Sequence, residues 1–510
     1  MSASRYESRK LSQLLPELAP LAATVSVSDI TLDSRAVRPG SLFLACPGRR
    51  THGLKHLQAA LAQGASAVVY EPADGLEIPA GAADVLVAAV PDLGRRIGEI
   101  ADEFFGRPSA AMAVSGITGT NGKSTCAWML ANALRLCGRP AGYIGTLGVG
   151  LASADGKFSP VTHTTADAVT LHRQLHELRR AGAQCVAMEV SSHALDQHRI
   201  DAVRLRVAGY TNLTRDHLDY HGSMAAYGAA KARLLDWCGL DSRVINIDDG
   251  FGMQLAARTA SAGRLFVTTR QAASASAARR FAAAGATVLS AEAIQLDTAG
   301  LRCEIVLNGR RSGLRSHLIG EFNVDNLLTA LGMLLALQVP EAQALRALLD
   351  CRAPPGRMEM FGGESLPLVL VDYAHTPDAL SKALQAARRH CAGKLRVVFG
   401  CGGDRDAGKR PQMAVAAARC ADEILLTDDN PRSERPESIV ADIVTGLPAG
   451  VAHRVVHDRA AAITEAINHS LSGDVVLIAG KGHEDYQIYG SERRAFSDQL
   501  VVRAALGVAA

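Results

Sequence analysis

The chain of 510 residues lacks long apolar runs, is poor in aromatic residues and has almost no excess charge. No stretch of 18 apolar residues occurs, and the polar first ten residues are not followed by the apolar segment of a signal peptide. We therefore expect a cytoplasmic protein without a membrane span. Because 54 basic residues face 51 acidic ones, the charge gives no reason to expect a nucleic-acid partner.

Pairs of cysteines with metal-binding spacing are also missing. The ten cysteines are scattered and never form a C-x-x-C motif, which argues against both a disulfide framework and a zinc site. We expect them to be small buried apolar residues. The length favours about three domains, because a domain contains roughly 150 residues.

Two Pro/Gly-rich segments suggest where the domains meet. One follows two phenylalanines at residues 104–108, and the other, at residues 351–357, follows a predicted helix. We therefore predict domains at residues 1–107, 108–351 and 352–510. No solenoid-type repeat is present.

The most informative segment is residues 116–125, with the sequence GITGTNGKST. A short apolar stretch of strand length (110–115) precedes it, and apolar residues with helical spacing follow until Gly138 and Pro140. Strand, glycine-rich loop, lysine, hydroxyl and helix in this order predict a P-loop. In such a loop Lys123 reaches the outer phosphates and Ser124 or Thr125 takes a Mg²⁺ position. The glycine spacing departs from the common pattern, and the alternative is a glycine-rich turn without a ligand.

Polar residues follow the next apolar stretches of the central region. Glu189 ends one of them, where a carboxylate is costly unless it binds a metal or pairs with a cation, and we favour the metal. His217 lies in a cluster of His and Asp residues (216–221) that is either functional or a solvated loop. Lys231 lies in a helical segment, and its position alone predicts a surface lysine.

The third region predicts a Rossmann-like sheet. Apolar stretches at 368–371, 395–399, 423–426 and 475–479 each end in a charged or glycine-rich loop. These loops carry donors suited to carboxylates and one acceptor for an amine: Arg405, Arg410, Asn430, Arg432 and Glu484. Together they suit an amino acid with several charged groups, although any single arginine could be a solvated surface charge.

In this order the motifs resemble those of the Mur ligases of peptidoglycan synthesis. The family carries the GTNGKS form of the loop found at 119–124, and the resemblance extends over about residues 25–495. It implies an α/β protein of three domains: a small N-terminal α/β UDP-binding domain, a central P-loop ATPase-like domain with a mostly parallel sheet, and a C-terminal Rossmann-like domain. It also implies an ATP-dependent amide ligase that uses Mg²⁺.

Two C-terminal motifs, DNPR (429–432) and GKGHE (480–484), resemble those of family members that add meso-diaminopimelate to UDP-N-acetylmuramoyl-L-alanyl-D-glutamate. The implied partners are these two small molecules and ATP, bound by a monomer. The implied route runs through an acyl phosphate.

The resemblance also implies residue roles. The catalytic residues are Lys123, Glu189, His217 and Lys231, with Ser124, Glu189, His217 and Lys231, as an N6-carboxylysine, binding metal. ATP is bound by Gly119, Thr120, Asn121, Gly122, Lys123, Ser124, Thr125, Asn323, Asn326, Arg357, Asp372 and His375. The UDP-dipeptide is bound by Ser34, Thr164, Thr165, Ser191, Gln197 and Arg199. Diaminopimelate is bound by Arg405, Asp429, Asn430, Pro431, Arg432, Gly480 and Glu484.

Two alternatives stay open at this point. One is another amide ligase on the same scaffold, such as a folylpolyglutamate synthetase-like enzyme, which the separate first domain and the DNPR motif disfavour. The other is a non-catalytic P-loop binding module or NTPase switch, which would need neither Glu484 nor the arginine set.

Overall fold

The structure, a computed structural model, describes residues 6–508 apart from 23, 49–50, 79–84, 154–155, 157 and 162. Three sheets form the frame of three α/β domains, and most of their strand pairs are parallel. The predicted fold class is therefore confirmed.

The N-terminal domain contains a four-stranded parallel sheet in the order β3-β4-β5-β6 and a small antiparallel pair, β1-β2. Its strands are β1 (Arg9–Lys10), β2 (Ser26–Val27), β3 (Asp29–Thr31), β4 (Ser41–Ala45), β5 (Ala67–Tyr70) and β6 (Leu86–Ala89). Its α-helices are α1 (Leu11–Leu14), α2 (Ala19–Ala22), α3 (Leu57–Ala62) and α4 (Leu93–Phe104). All five residues of β4 are buried, because other elements cover both faces of this sheet.

The central domain is built on ten strands in the order β16-β15-β14-β13-β12-β11-β7-β10-β8-β9. They are β7 (Ala113–Thr118), β8 (Ala141–Gly145), β9 (Gly148–Leu151), β10 (Cys185–Glu189), β11 (Leu205–Tyr210), β12 (Ser242–Asn246), β13 (Arg264–Thr269), β14 (Thr287–Asp297), β15 (Gly300–Leu307) and β16 (Arg310–Ser316). The helices are α5 (Lys123–Leu136), α6 (Ala168–Arg180), α7 (Ser192–Asp196), α8 (Leu218–His221), α9 (Met224–Leu235), α10 (Gly250–Thr259), α11 (Ala275–Ala283), α12 (Phe322–Ala336) and α13 (Glu341–Leu349).

The P-loop strand β7 lies inside this sheet, parallel to β10 on one side and β11 on the other. Helices α5 and α12 pack together in the largest apolar cluster, which covers one face of the sheet. Carboxyl ends of neighbouring parallel strands meet at one edge, so the residues after β7, β10 and β11 converge there. Antiparallel pairing occurs only toward the two ends of the described sheet, at β8-β9 and from β14 to β16.

The C-terminal domain has a six-stranded sheet in the order β17-β18-β22-β19-β20-β21, in which only β17 runs antiparallel to its described neighbour. The strands are β17 (Glu359–Gly362), β18 (Leu368–Asp372), β19 (Leu395–Phe399), β20 (Glu423–Leu426), β21 (His453–Val455) and β22 (Val475–Ala479), followed by the hairpin β23 (Tyr486–Tyr489) and β24 (Glu492–Ala495). Its helices are α14 (Pro377–Arg388), α15 (Lys409–Cys420), α16 (Pro436–Val444), α17 (Arg459–Asn468) and α18 (Asp498–Leu506).

Most predicted strands are confirmed, and three of the four in the last domain have the predicted bounds. The strand before the P-loop begins later than predicted, because Pro108 starts a short 3₁₀ helix that ends at Ala111. Glu189 ends the third strand after the P-loop along the chain and not the second, although that strand is β7's neighbour in space.

The cysteine prediction is only half right. All ten are free thiols, but five are buried, four are half-buried and Cys238 is exposed. Within the described part of the chain no helix is both long and apolar enough to cross a membrane.

Candidate functional site: a nucleotide cleft and an amino-acid pocket

The predicted P-loop lies between β7 and α5, and two glycines shape its backbone. Gly119 (φ 148°) and Gly122 (φ 85°) adopt conformations that other residues rarely take. A Cβ on Gly119 would lie 1.9 Å from Thr211 Oγ1, so the loop approaches β11 only because that atom is missing. The Lys123 ammonium donates to the carbonyls of Gly119 (2.9 Å) and Thr120 (2.8 Å). Lys123 is thus folded over the loop.

Glu189 is buried at the end of β10 and its carboxylate is held by four hydrogen bonds. Ser124 Oγ donates to Oε2 at 2.8 Å and Tyr143 Oη donates to Oε1 at 2.5 Å. The backbone N–H and the hydroxyl of Thr146 donate to Oε1 and Oε2 at 2.8 and 3.2 Å. Burial and the adjacent carboxylate raise the pKa of Tyr143. Its hydroxyl therefore stays protonated and can donate the hydrogen bond to Glu189. These four donor groups are all neutral.

Lys231, which its helical position predicted at the surface, is instead 1% exposed. Its ammonium nitrogen donates to the Gly119 carbonyl at 2.7 Å and lies 4.3 Å from the Tyr227 ring centroid. Burial first, and then the charge of nearby Lys123, lower the pKa of Lys231 to about 6, and only Asp216 acts in the other direction. At neutral pH this side chain is therefore mostly an uncharged amine.

The histidine cluster forms the outer wall of the same region. His217 immediately precedes α8 and adopts φ 51°, and its Nε2 lies 3.6 Å from Asp216 Oδ2. Its ring packs against His193 at 4.9 Å, and His193 in turn packs against Tyr220 at 4.2 Å. His217 is about half exposed, unlike Glu189 and Lys231.

These side chains surround one cleft of about 270 Å³. It is lined by residues 120–125 together with Thr164, Glu189, Ser191, His217, Lys231 and Arg357. Arg357 comes from the C-terminal domain, so the cleft lies between two domains. A larger groove of about 870 Å³ lies elsewhere, between α11 and β14, but alanines form much of its lining and none of the predicted site residues reaches it.

Of the remaining predicted ATP-binding residues, Asn323 and Asn326 lie beside the P-loop, and Asp372 and His375 lie in the C-terminal domain. Asn326 is buried beside the loop, since a Cβ on Gly122 would lie 2.3 Å from its Oδ1, and its Nδ2 donates to Asn323. The Asp372 carboxylate accepts hydrogen bonds from the backbone N–H groups of Met358 and Ala374. Burial raises the pKa of Asp372.

The aromatic residue after Asp372 links two further predicted residues. The Arg357 guanidinium lies 5.0 Å from the Tyr373 ring, and the exposed His375 bonds through Nδ1 to the Tyr373 carbonyl. Arg357 is thus placed by its own domain before any ligand arrives.

Two of the residues predicted to bind the UDP-dipeptide line a cavity between the first two domains. Gln197 and Arg199 are hydrogen-bonded to each other and line a cavity of about 290 Å³ with Leu32 of the N-terminal domain. Arg199 also donates to the Thr165 carbonyl at 2.9 Å. Ser34 is buried in a short 3₁₀ turn on the N-terminal side.

Two more of these residues connect that cavity to the nucleotide cleft. The hydroxyls of Thr164 and Thr146 are hydrogen-bonded to each other. The Thr165 hydroxyl donates a hydrogen bond to the Glu189 carbonyl and accepts one from the Ser191 N–H. The structure therefore brings Thr164, Thr165 and Ser191 together beside Glu189.

The loops after β20 and β22 form the predicted amino-acid pocket. Asn430 Nδ2 donates to Glu484 Oε2 at 3.0 Å, and Asn430 Oδ1 accepts the Ile488 N–H. Asp429 lies beside Gly480, whose φ of 113° turns the second loop toward it. Asp429, Asn430, Gly480 and Glu484 are therefore in one place, as predicted.

The predicted arginines of this pocket differ in environment. Arg432 adopts φ 53°, and one of its terminal nitrogens donates to the Gly403 carbonyl at 2.7 Å. Arg405 is exposed beside it, and Pro431 packs its carbonyl against Gly403. Arg410 does not fit the expectation of a ligand-binding group, because it is buried and ion-paired to Glu434 and Asp442.

The sequence analysis missed three residues that contact the site. Tyr143 and Thr146 hold Glu189, and no motif marks them. Lys481 lies in the quoted GKGHE motif, yet only the structure shows that it contacts Asp429 and Glu484. A charged residue between two glycines at a strand end was the available signal.

The linker between the second and third domains touches this pocket. Gly356 (φ 65°) packs so closely on Gly482 that a Cβ at position 356 would lie 2.2 Å from the Gly482 carbonyl carbon. Upstream, the Arg352 carbonyl accepts the Trp128 indole N–H at 3.0 Å.

A P-loop cleft that is closed by a second domain with an amino-acid-type pocket is the arrangement of an ATP-dependent ligase. Family models agree: residues 26–105 match "Mur ligase family, catalytic domain", residues 117–334 "Mur ligase middle domain" and residues 356–482 "Mur ligase, glutamate ligase domain". The chain belongs to the Mur ligase family.

Three of the similar proteins share one name. A protein of Xanthomonas campestris called UDP-N-acetylmuramoyl-L-alanyl-D-glutamate–2,6-diaminopimelate ligase is 50% identical over 498 residues, 97% of each chain. A Pseudomonas aeruginosa protein of the same name is 46% identical over 96% of each. A solved structure titled as that ligase is 33% identical, with a TM-score of 0.72 over 98% of this chain and 99% of its own.

Proposed function

We propose that the protein joins meso-diaminopimelate to UDP-N-acetylmuramoyl-L-alanyl-D-glutamate, with ATP converted to ADP and phosphate, in the synthesis of peptidoglycan precursors. The observation that carries this proposal is the relative that bears the name of this ligase and is half identical across 97% of both chains. The pocket of Asn430, Arg432 and Glu484 supports it, because it offers donors for a carboxylate and an acceptor for an amine.

The reaction requires activation of a carboxylate, which is a poor electrophile. A carboxylate oxygen of the substrate attacks the γ-phosphorus of ATP, ADP leaves, and an acyl phosphate forms. The amine of diaminopimelate then attacks the acyl carbon, and the tetrahedral intermediate expels phosphate as the amide forms. Lys123 is suited to stabilise the negative charge that develops on the phosphoryl oxygens, because its ammonium lies at the loop that cradles them.

We assign ATP to the cleft between the central and third domains. Loop residues 119–125 contact the phosphates in this proposal, while Asn323 and Asn326 face the adenine side. Arg357, Asp372 and His375 close over the nucleotide from the other domain. Support comes from the shared lining, in which Arg357 and the P-loop border one cavity.

Mg²⁺ fits the oxygen atoms of this cleft. Ser124 Oγ and Glu189 Oε2 lie 2.8 Å apart, and hydroxyl and carboxylate oxygens are the ligands that Mg²⁺ prefers. Within the described residues no group of three or more His, Cys, Asp or Glu side chains is placed to hold a metal. The further ligands in this proposal are His217, phosphate oxygens and a modified side chain. When bound, the ion supplies positive charge to the phosphates.

Lys231 is suited to become that modified side chain. Its lowered pKa provides the neutral amine that attacks CO₂, and the product is an anionic N6-carboxylysine with oxygen ligands in place of a nitrogen. His217, on the same cleft, is the fourth member of the proposed metal set with Ser124, Glu189 and Lys231.

The two other substrates occupy neighbouring positions. We assign the UDP-dipeptide to Ser34, Thr164, Thr165, Ser191, Gln197 and Arg199, and diaminopimelate to Arg405, Asp429, Asn430, Pro431, Arg432, Gly480 and Glu484. The corresponding domains are residues 1–107, 108–351 and 352–510. Closure at the 351–356 linker would bring the acyl phosphate to the amine.

Phosphate release tests the proposal directly. The protein is assayed with ATP, Mg²⁺ and the UDP-muramoyl dipeptide, and meso-diaminopimelate is compared with L-lysine. We expect release that depends on all three substrates and is much faster with diaminopimelate. Equal rates with lysine would contradict the proposed amino-acid preference, and ATP turnover without either co-substrate would support an NTPase switch instead.

A further inference from the structure

Lys481 is a buried lysine that contacts two of the residues assigned to diaminopimelate, Asp429 and Glu484. Its side chain is 0% exposed, although it lies in the loop that follows β22. The ammonium nitrogen lies 3.3 Å from Asp429 Oδ1, 3.2 Å from Asn430 Oδ1 and 3.2 Å from Glu484 Oε2. Three N–H groups thus meet three oxygen acceptors, and each acceptor belongs to a residue assigned to the substrate.

The exposure of the partners differs from that of the lysine. The side chains of Asp429 and Glu484 are 11% and 19% exposed, so a ligand can reach them from solvent, while Lys481 is fully buried behind them. Glu484 Oε2 accepts hydrogen bonds from both Asn430 and Lys481. These two bonds fix the carboxylate and leave its other oxygen, Oε1, to accept a hydrogen bond from an incoming ammonium group.

The charge of the pocket follows from the same contacts. Asp429 and Glu484 contribute two negative charges, and two carboxylates that share a small buried volume repel each other. Lys481, Arg432 and the exposed Arg405 contribute three positive charges, which leave the pocket with an excess of one positive charge. The distal end of diaminopimelate carries one ammonium and one carboxylate and is neutral overall, whereas the distal end of L-lysine carries only an ammonium and is repelled by this excess.

We propose that Lys481 is a positioning residue that determines specificity: it orients Glu484 toward the substrate ammonium, and its positive charge makes the pocket prefer a zwitterionic distal group over a cationic one. The inference rests on the proposed function and adds a residue to it. Without Lys481 the pocket would lose its excess positive charge, and this loss favours lysine relative to diaminopimelate.

The test compares the wild type with Lys481→Met, which keeps the length of the side chain and removes its charge. We expect the KM for diaminopimelate to rise by roughly 30-fold or more, because a buried charge pair loses one partner. The KM values for ATP and the UDP-dipeptide should stay within about twofold, and the ratio of kcat/KM for diaminopimelate to that for lysine should fall. Lys394→Met is the matched control, because Lys394 pairs with Glu423 on the surface of the same domain.

A double-mutant cycle tests whether Lys481 acts through Glu484. In a Glu484→Gln background the Lys481→Met change should alter the KM for diaminopimelate much less than it does in the wild type. If Lys481→Met does not fold, as shown by loss of ATP binding, Lys481→Gln replaces it, since it retains N–H donors without the charge.

The outcomes separate the two proposals. A wild type that uses lysine as well as diaminopimelate overturns the proposed substrate and this inference with it. A wild type that prefers diaminopimelate, with an unchanged preference in the folded Lys481 variants, overturns the inference alone. Fully additive effects in the cycle would also overturn it.

Discussion

Two of the lysines that the structure describes are buried, one in the nucleotide cleft and one in the proposed amino-acid pocket, and their surroundings differ. Lys231 has a carbonyl, an aromatic ring and a second lysine as neighbours, while Lys481 has two carboxylates and an amide. The first environment lowers the pKa of Lys231, whereas the second surrounds the Lys481 nitrogen with three oxygen acceptors. Burial alone therefore does not decide what a lysine does.

The difference matches the two kinds of chemistry proposed for the two regions. A neutral amine at Lys231 can be converted to a carbamate, which then acts as an anionic ligand. A charged partner at Lys481 holds carboxylates in place and is not itself modified. Substitutions in the two regions test whether their lysines and the residues around them play these different roles.

The largest effect is expected at Lys231. Replacement by alanine removes the proposed anionic ligand of the cleft, and phosphate release should fall by about 10²–10³-fold. Added short carboxylic acids should restore part of the activity by supplying oxygen ligands in the vacated space. Lys394→Ala serves as the surface control. Full activity of Lys231→Ala would contradict a role in the cleft.

Arg432 tests the other region. Its replacement by alanine removes a charge-assisted bond to the distal carboxylate, which is worth about 1.5–3 kcal/mol, so the KM for diaminopimelate should rise by about 10- to 100-fold. The affinity for ATP, measured by calorimetry, should not change. A loss of ATP binding would mean that the pocket has been misassigned.

The pH dependence of stability sharpens the contrast further. The pKa of Lys231 is about 6 in the folded protein against an ordinary value of 10.5, so between these values the unfolded chain binds one more proton. Stability should therefore rise with pH in this window, by at most about 1.4 kcal/mol per pH unit from this group, and the penalty is complete below the window.

Urea unfolding in CO₂-free buffer measures this effect. Lys231→Met should be more stable than the wild type near neutral pH, and the difference should shrink as the pH rises toward about 10. A difference that is independent of pH would show that Lys231 titrates as an ordinary exposed lysine.

Tyr143 gives the smallest expected effect. Tyr143→Phe removes one of the four hydrogen bonds to Glu189, at a cost of about 1 kcal/mol, so Mg²⁺-dependent ATP binding should weaken by roughly fivefold. The volume of the side chain is kept, so the thermal unfolding temperature should change little. An unchanged Mg²⁺ dependence would mean that the other three donors suffice to hold the carboxylate.

Much of the fold follows from local patterns. Apolar stretches such as 395–399 and 475–479 became strands with the predicted bounds, because buried parallel strands are apolar on both faces. The P-loop was predictable for the same reason, since its lysine and glycines are contiguous in the sequence.

Long-range contacts could not be predicted in this way. The burial of Lys231 depends on α9 packing against a loop more than a hundred residues earlier in the chain, and nothing in the helix itself signals this. Arg410 was grouped with the ligand-binding arginines, yet its partners Glu434 and Asp442 turn it into a structural ion pair. The tertiary fold decides which charged side chains form ion pairs with each other.

The contact between Gly356 and Gly482 matters for anyone who builds chimeras of these ligases. The linker residue is packed against the backbone of the GKGHE loop, so it belongs structurally to the third domain. A chimera with its junction after Gly356 would combine the linker of one parent protein with the GKGHE loop of the other. Exchange of amino-acid specificity between relatives therefore calls for a junction upstream of Gly356.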